Sequence, residues 1–183
     1  MDRDDEQLVA QVQAGDTAQF GVLYDRYIEP IYRFVYIKTH EKETAEELTG
    51  DIFLKAFDRI ASYRAGNRGF RAWLYGIARH RVIDYYRRKR STVSIEDAWD
   101  IPAQDGTVQE TTDARLQFER LQECMAFLSQ NERDILMLRV WEDMTHREIA
   151  AVLGKREAAV KKMFSRAVQK LKVIFYERSE IHR

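Results

Sequence analysis

Residues 145–172 read THREIAAVLGKREAAVKKMFSRAVQKLK, and their spacing decides the fold of the C-terminal half. Ala150, Gly154 and Val160 stand at offsets of four and six, the pattern of a helix-turn-helix. A small residue is required where two helices cross closely, and glycine takes the positive φ of the turn. Val160 then locks the second helix against the first. Thr145 and Glu148 have capping-box spacing, which predicts a helix start near His146. On the second helix Val160, Phe164, Ala167, Leu171 and Ile174 form one apolar stripe, leaving Lys161, Lys162, Ser165, Arg166 and Gln169 largely outside it. Such a helix offers its N-terminal residues to base edges and its dipole to phosphates, with Arg156, Glu157, Lys161, Lys162 and Arg166 as candidate contacts.

Upstream of this unit, Ser129 with Glu132 forms another capping box and starts a helix near Gln130. Ala114, Phe118, Leu121, Met125 and Leu128 alternate steps of four and three, as core positions of a preceding helix do. Between Ser91 and Asp113 the periodicity vanishes. That stretch carries Glu96, Asp97, Asp100, Asp105, Glu110 and Asp113 with no Lys or Arg, and with Pro102 and Gly106 it reads as a flexible acidic linker.

A second basic segment, FRAWLYGIARHRVIDYYRRKR at 70–90, interleaves aromatics with arginines. By helical angle Phe70, Trp73, Leu74, Ile77, Ala78 and Tyr85 share one side, and Arg71, Tyr75, Arg79 and Tyr86 another. One face packs and the other is available. Unpaired bases stack on aromatic faces while arginines hold the backbone. The competing reading makes Trp73 and Tyr85 core and the arginines a solvated surface. For Trp73 core is preferred; for the arginines as a group, nucleic acid is, because so many like charges on a short segment call for an anionic partner.

Further towards the N-terminus, Leu8, Val9 and Val12 predict a short first helix closed by Gly15, and Asp16 with Gln19 a capping box for the next. Phe20, Leu23, Tyr24, Tyr27, Ile28, Ile31 and Val35 repeat at helical spacing, with Pro30 expected to kink or interrupt that helix. A third helix from about Glu43 to Ile60 carries Leu48, Ile52, Phe53, Ala56, Phe57 and Ile60 as its buried stripe. Gly66, Asn67 and Gly69 mark a loop. No internal repeat and no β pattern is found.

Composition bounds the function. With 183 residues, 45% of them hydrophobic, the chain suffices for two small cores. Thirty basic and thirty acidic side chains cancel, which argues against a generic basic coat for nucleic acid. The lone Cys124 excludes an internal disulfide and a multi-cysteine zinc site, and reads as a core residue. The start, MDRDDEQLVAQVQAGD, lacks the apolar run of a signal peptide or membrane anchor, so the cytoplasm is the expected compartment. Glu43, Glu46, Glu47 and Asp51 suggest a carboxylate site, but no pair of ExxH motifs completes a di-iron bundle. His40, His80, His146 and His182 are scattered, and neither Ser nor Cys has a paired base at recognisable spacing. No enzyme, cofactor or metal is expected.

TAEELTGDIFLKAF at 44–57, the aromatic-basic segment and the helix-turn-helix, in that order, resemble the group IV (extracytoplasmic function, ECF) RNA polymerase sigma factors of the sigma-70 family. The resemblance covers nearly the whole chain. It implies an all-α protein of two small helical domains: a sigma region 2-like domain over 1–90 and a sigma region 4-like helix-turn-helix domain over 114–183, joined by the linker at 91–113. In that family the first domain binds the clamp helices of the polymerase β′ subunit and opens the −10 element. The second reads the −35 element and touches the β flap.

By position, the resemblance assigns core-polymerase binding to Glu47, Leu48, Asp51, Ile52, Phe53, Leu54 and Lys55. It assigns −10 contacts to Tyr63, Arg64, Asn67 and Arg68 in the loop that captures a flipped base, and to Arg71, Tyr75, Arg79, His80, Arg87 and Arg88 in the adjoining helix. Contacts to the −35 element fall on Thr145, Arg156, Glu157, Lys161, Lys162, Ser165 and Arg166. Asp84 resembles a structural acid, suited to an ion pair with Arg81 or Arg87. An anti-sigma factor covering these surfaces is the further partner that the resemblance implies.

Departures from the family pattern are few. Gly50 stands where Gln is common, His80 where Asn is common, Ala158 and Ala159 in place of a Gly-Thr type pair, and Lys162 in place of Ser. Two promoter elements roughly 17 base pairs apart are separated by about 60 Å at ~3.4 Å per step. The 23-residue linker reaches about 75 Å when extended. Its acidity suits a nucleic-acid mimic in a basic polymerase channel, which neutralising Asp97, Asp100 and Asp105 would test through initiation and promoter escape. A stand-alone helix-turn-helix transcription regulator is the alternative, but it leaves 44–57 and 70–90 unexplained. A helical adaptor that binds only protein is a third reading, which DNA crosslinking within a polymerase complex would exclude as the whole answer.

Overall fold

The computed structural model describes residues 2–64, 66, 69–92, 124–125 and 127–181, and among these it is helical with no strand. The chain divides into two compact units. The first holds α1 (Asp2–Gln13), α2 (Ala18–Thr39), α3 (Lys42–Ile60) and α4 (Gly69–Thr92).

α1 closes at Gly15, whose φ of +106° is open to glycine at no steric cost. The next helix starts at Ala18, and the expected capping box does not form: Gln19 donates its amide to the Asp16 carboxylate at 3.0 Å instead of completing backbone bonds. Of the kink or interruption expected at Pro30, the interruption does not occur: α2 continues through it. Pro30 removes one backbone donor, but Leu23, Tyr27, Ile31, Phe34 and Val35, all buried, hold the helix to its neighbours on both sides of that gap. His40, at φ 55°, ends α2 by returning its N–H to the Tyr36 carbonyl.

α4 packs against α1, α2 and α3, so it has no single buried face. Phe70, Leu74, Tyr75 and Ala78 are all sealed in the interior. The Tyr75 ring meets Phe34 edge-on at 5.3 Å. Trp73 is half-buried, with Tyr63 and Phe70 rings at 5.2 and 5.5 Å, which agrees with its reading as core.

In the second unit α5 (Gln130–Val140) and a later helix, α7 (Glu157–Ile181), pack together. Between them in sequence runs α6 (His146–Leu153). Both predicted capping boxes form. Glu132 Oε2 accepts from the Ser129 N–H at 2.8 Å, while Ser129 Oγ accepts from the Glu132 N–H at 3.4 Å. Thr145 and Glu148 make the same exchange at 2.8 and 3.2 Å. Leu128, Leu136 and Ala167 centre the core, flanked by Met125, Phe164, Val168 and Leu171. Cys124 is buried, as expected. The linker from residue 93 onward and the helix positions Ala114, Phe118 and Leu121 lie outside the described residues. No helix among those described is long and apolar enough to cross a membrane.

Candidate nucleic-acid interface

The seven positions of α3 assigned to polymerase binding split by burial. Leu48, Ile52 and Phe53 turn inward, so they hold the helix in place and present no surface. They fall, as the periodicity predicts, on the buried stripe of α3, which packs against α2 and α4. Glu47 and Leu54 are exposed, Leu54 at 67%. Lys55 is half-buried, and Asp51 pairs with Arg81 of α4. Phe57, expected in the stripe, is 42% exposed and touches Phe20 of α2 ring-to-ring at 5.0 Å. Tyr24 likewise sits at the surface, its ring 4.8 Å from Phe53. Val22, Tyr24, Leu54 and Phe57 thus make a set of apolar side chains left in water on α2 and α3.

On α4 the aromatic and basic positions part ways. Tyr75 is fully buried, so its ring is no platform for a base. Tyr86, also expected on the open side, donates its hydroxyl to the Lys38 carbonyl at 2.5 Å. Tyr63 is only 6% exposed, its hydroxyl bound to Glu6 at 2.5 Å. What α4 leaves outside is basic: Arg87 and Arg88 are exposed, and Arg71 and Arg79 are half-exposed. Asp84 takes Arg87 as its partner at 3.2 Å, since Arg81 is committed to Asp51. His80 is exposed, but its Nδ1–H donates to the Gly76 carbonyl one turn back at 2.6 Å, which leaves Nε2 as the outward atom.

Arg64 folds back on the end of α3, donating to the carbonyls of Ala61 and Tyr63 at 3.3 and 3.1 Å. Asn67 and Arg68 lie outside the described residues.

Where α4 meets the α2–α3 turn, Glu41 gathers three donors: Thr44 at 2.8 Å, Lys89 at 3.0 Å and Tyr85 at 3.1 Å. The Thr44 hydroxyl first, then Lys89, holds its carboxyl below the usual carboxylate range. Sequence reading missed Glu41. It likewise missed Asp5, Glu6 and Gln13 of α1, although Glu6 and Gln13, seven apart, share one helical face with Val9 between them.

At the helix-turn-helix positions Ala150 and Val160 are buried and Gly154 has φ +63°, the left-handed region open to glycine. Arg156, Glu157, Lys161, Lys162, Ser165 and Arg166 are all exposed. Glu157 pairs with Lys161 one turn on at 2.7 Å, which lowers its carboxyl and leaves Lys162 and Arg166 as the cations flanking that pair. Thr145 spends its hydroxyl on Glu148 at 2.7 Å, in the cap. Among the described residues no group of His, Cys, Asp and Glu is arranged to hold a metal ion.

Two family models match this chain: Sigma-70 region 2 over residues 23–92 and Sigma-70, region 4 over residues 118–171. RNA polymerase sigma factor YlaC of Bacillus subtilis is 33% identical over 157 residues, covering 82% of this chain and 88% of its own length. The chain belongs to the ECF group of RNA polymerase sigma factors.

ECF RNA polymerase sigma factor BldN of Streptomyces coelicolor is 34% identical over 167 residues, or 90% of this chain, which spans 63% of BldN. Two solved structures share the sigma fold: CnrH in complex with the cytosolic domain of CnrY, and the sigma factor RpoE in complex with the anti-sigma factor NepR from Bartonella quintana. The first has a TM-score of 0.72 at 24% identity, covering 94% of this chain and 97% of that one. The second has 0.69 at 20%, covering 86% and 96%. A sigma factor is a non-enzymatic initiation factor, so the chemistry belongs to the polymerase. α1 lies outside the region 2 match, which begins at residue 23, whereas every assigned contact falls inside one of the two matches.

Proposed function

We propose that this sigma factor binds the polymerase core through the β′ clamp helices and the β flap. It positions the enzyme on −35 and −10 elements, traps melted non-template bases and leaves after initiation. It does this in the cytoplasm, and an anti-sigma factor that covers the same surfaces restrains it. The apolar side chains exposed on α2 and α3 support the core contact, with Leu54 and Phe57 at its centre and Glu47 and Lys55 beside them. Arg71, Arg79, Arg87 and Arg88 suit the phosphates of an opened strand, and His80 faces its bases through Nε2. Arg156, Lys162, Ser165 and Arg166 suit the major groove of the −35 duplex.

The observation that carries this reading is that one chain holds both a helix-turn-helix with exposed cations and a helical unit with exposed apolar side chains and an arginine-rich helix. A stand-alone regulator needs only the first. Promoter footprinting of the chain alone, and of the chain with core polymerase, separates the two. Protection of both elements only when core is present supports the sigma reading; protection by the chain alone supports the regulator.

A further inference from the structure

The last turns of α4 carry consecutive cations, and the structure sorts them. Arg87 and Arg88 are exposed, whereas Lys89 is bound to Glu41 at the α2–α3 turn. Glu41 is the N-cap of α3 by position, with extended backbone at φ −126° and ψ 119°, yet its side chain makes no bond to the N–H groups of its own helix. Its two carboxylate oxygens divide their partners. Oε2 accepts from the Thr44 hydroxyl at 2.8 Å and the Tyr85 hydroxyl at 3.1 Å, while Oε1 accepts from the Lys89 ammonium at 3.0 Å. Lys89 also donates to the Tyr85 hydroxyl at 3.3 Å and stands 5.5 Å from the centre of that ring. Tyr86 donates to the Lys38 carbonyl at 2.5 Å, which holds this stretch of α4 on the same turn.

The Lys89 side chain is nevertheless 50% exposed, and that of Glu41 42%. An anion can reach the ammonium, but the pair offers it no net charge. A cation strengthens DNA binding by neutralising a phosphate and releasing its counterions, and a pair of zero net charge neutralises none.

We propose that Glu41 withdraws Lys89 from the DNA-contacting charges of α4, and so limits sequence-independent affinity for DNA. This rests on the sigma reading above, in which Arg87 and Arg88 meet phosphates. Glu41 itself needs no contact with DNA. Because non-specific binding is electrostatic, each phosphate contact withheld makes unrelated sites compete less for the protein. Glu41→Gln breaks the arrangement selectively: an amide oxygen in the place of Oε2 keeps the Thr44 and Tyr85 bonds, while the amide nitrogen in the place of Oε1 no longer accepts from Lys89.

The test uses holoenzyme reconstituted with the full chain, and reads its binding to a fluorescent DNA single strand of unrelated sequence over a range of salt. Glu41→Gln should steepen the dependence of log K on log salt by about 0.7, the value of one phosphate on a single strand, and tighten binding about fivefold near about 0.1 M salt. Glu41→Gln combined with Lys89→Gln should return both to the parent values. Arg88→Ala should make the slope shallower by about 0.7. A defect in folding would weaken binding, so a gain that needs Lys89 is not its product. An unchanged slope in Glu41→Gln, with Arg88→Ala shallower, would overturn the proposal. So would a double variant shallower than the parent, which would mean that Lys89 already meets a phosphate, or one that keeps the gain without Lys89. Unchanged slopes in both Glu41→Gln and Arg88→Ala would instead overturn the reading of this part of α4 as a DNA contact.

Discussion

Asp51 of α3 and Arg81 of α4 form an ion pair that ties together two helices carrying different assigned contacts. Asp51 sits among the positions assigned to polymerase binding, yet its carboxylate is directed at the interior side of α4, where Arg81 is 18% exposed. Arg81 Nε is buried without a partner, so losing the carboxylate leaves that guanidinium less compensated still. Asp51→Ala should cost the first unit about 1–3 kcal/mol. Urea unfolding of Asp51→Ala, Arg81→Ala and the double variant should show strong non-additivity, whereas independent effects would mean that the pair is ornamental.

Leu54 is the opposite case. Its exposure means that Leu54→Asp should leave thermal unfolding unchanged within about 0.5 kcal/mol, while core affinity falls about tenfold or more, as for an apolar residue at an interface centre. Ile52→Asp, one turn-face away in the interior, should unfold the unit. Titration of labelled core polymerase with each variant checks both.

Gly50 costs stability without visible return. It lies exposed within α3, and a Cβ added there meets nothing within 4 Å. Gly50→Ala should therefore raise stability by about 1 kcal/mol in denaturant unfolding. Gly50→Gln, which restores the residue common in the family, should gain nearly as much.

Glu132 makes the second unit acid-sensitive. Burial pushes its carboxyl up, but the Lys170 ammonium at 2.8 Å and the Ser129 N–H and hydroxyl outweigh that and bring it below its ordinary 4.5. With the folded value depressed, the stabilisation is complete above the unfolded value and is lost as pH falls through the folded one. Unfolding followed from pH 7 to pH 3 should show stability declining below about 4.5. Glu132→Gln should be about 1 kcal/mol less stable at neutral pH, through the weakened cap, with a flatter acid limb.

Lys162, exposed on α7, is proposed to contact the DNA backbone. In holoenzyme, Lys162→Ala should weaken −35 binding evenly across sequences and lower the salt slope by about 1, whereas a base-reading role would change sequence preference.

Local signals in the sequence carried far, and long-range ones did not. Ser129 with Glu132 and Thr145 with Glu148 are three-residue exchanges, so spacing alone located the starts of α5 and α6. The helix-turn-helix was legible for the same reason: Ala150, Gly154 and Val160 each answer a short-range steric demand. Tyr75 was misplaced because reading a helix by angle presumes one buried face, and α4 is packed by three helices. Leu48, Ile52 and Phe53 belong to the buried stripe and to the assigned binding surface at once, and burial decides between those. The bonds of Gln13 to the Ile60 and Tyr63 carbonyls, and of Glu6 to the Tyr63 hydroxyl and the Phe70 N–H, span 47 to 64 residues of chain, beyond the reach of any periodicity.

The role proposed for this chain is to give core polymerase its choice of promoter. Reconstituted transcription on genomic fragments, with start sites mapped in the presence and absence of the chain, measures it directly. A small set of new start sites is expected, each preceded by shared −10 and −35 sequences and lost with Leu54→Asp. Start sites that are the same with and without the chain would contradict it.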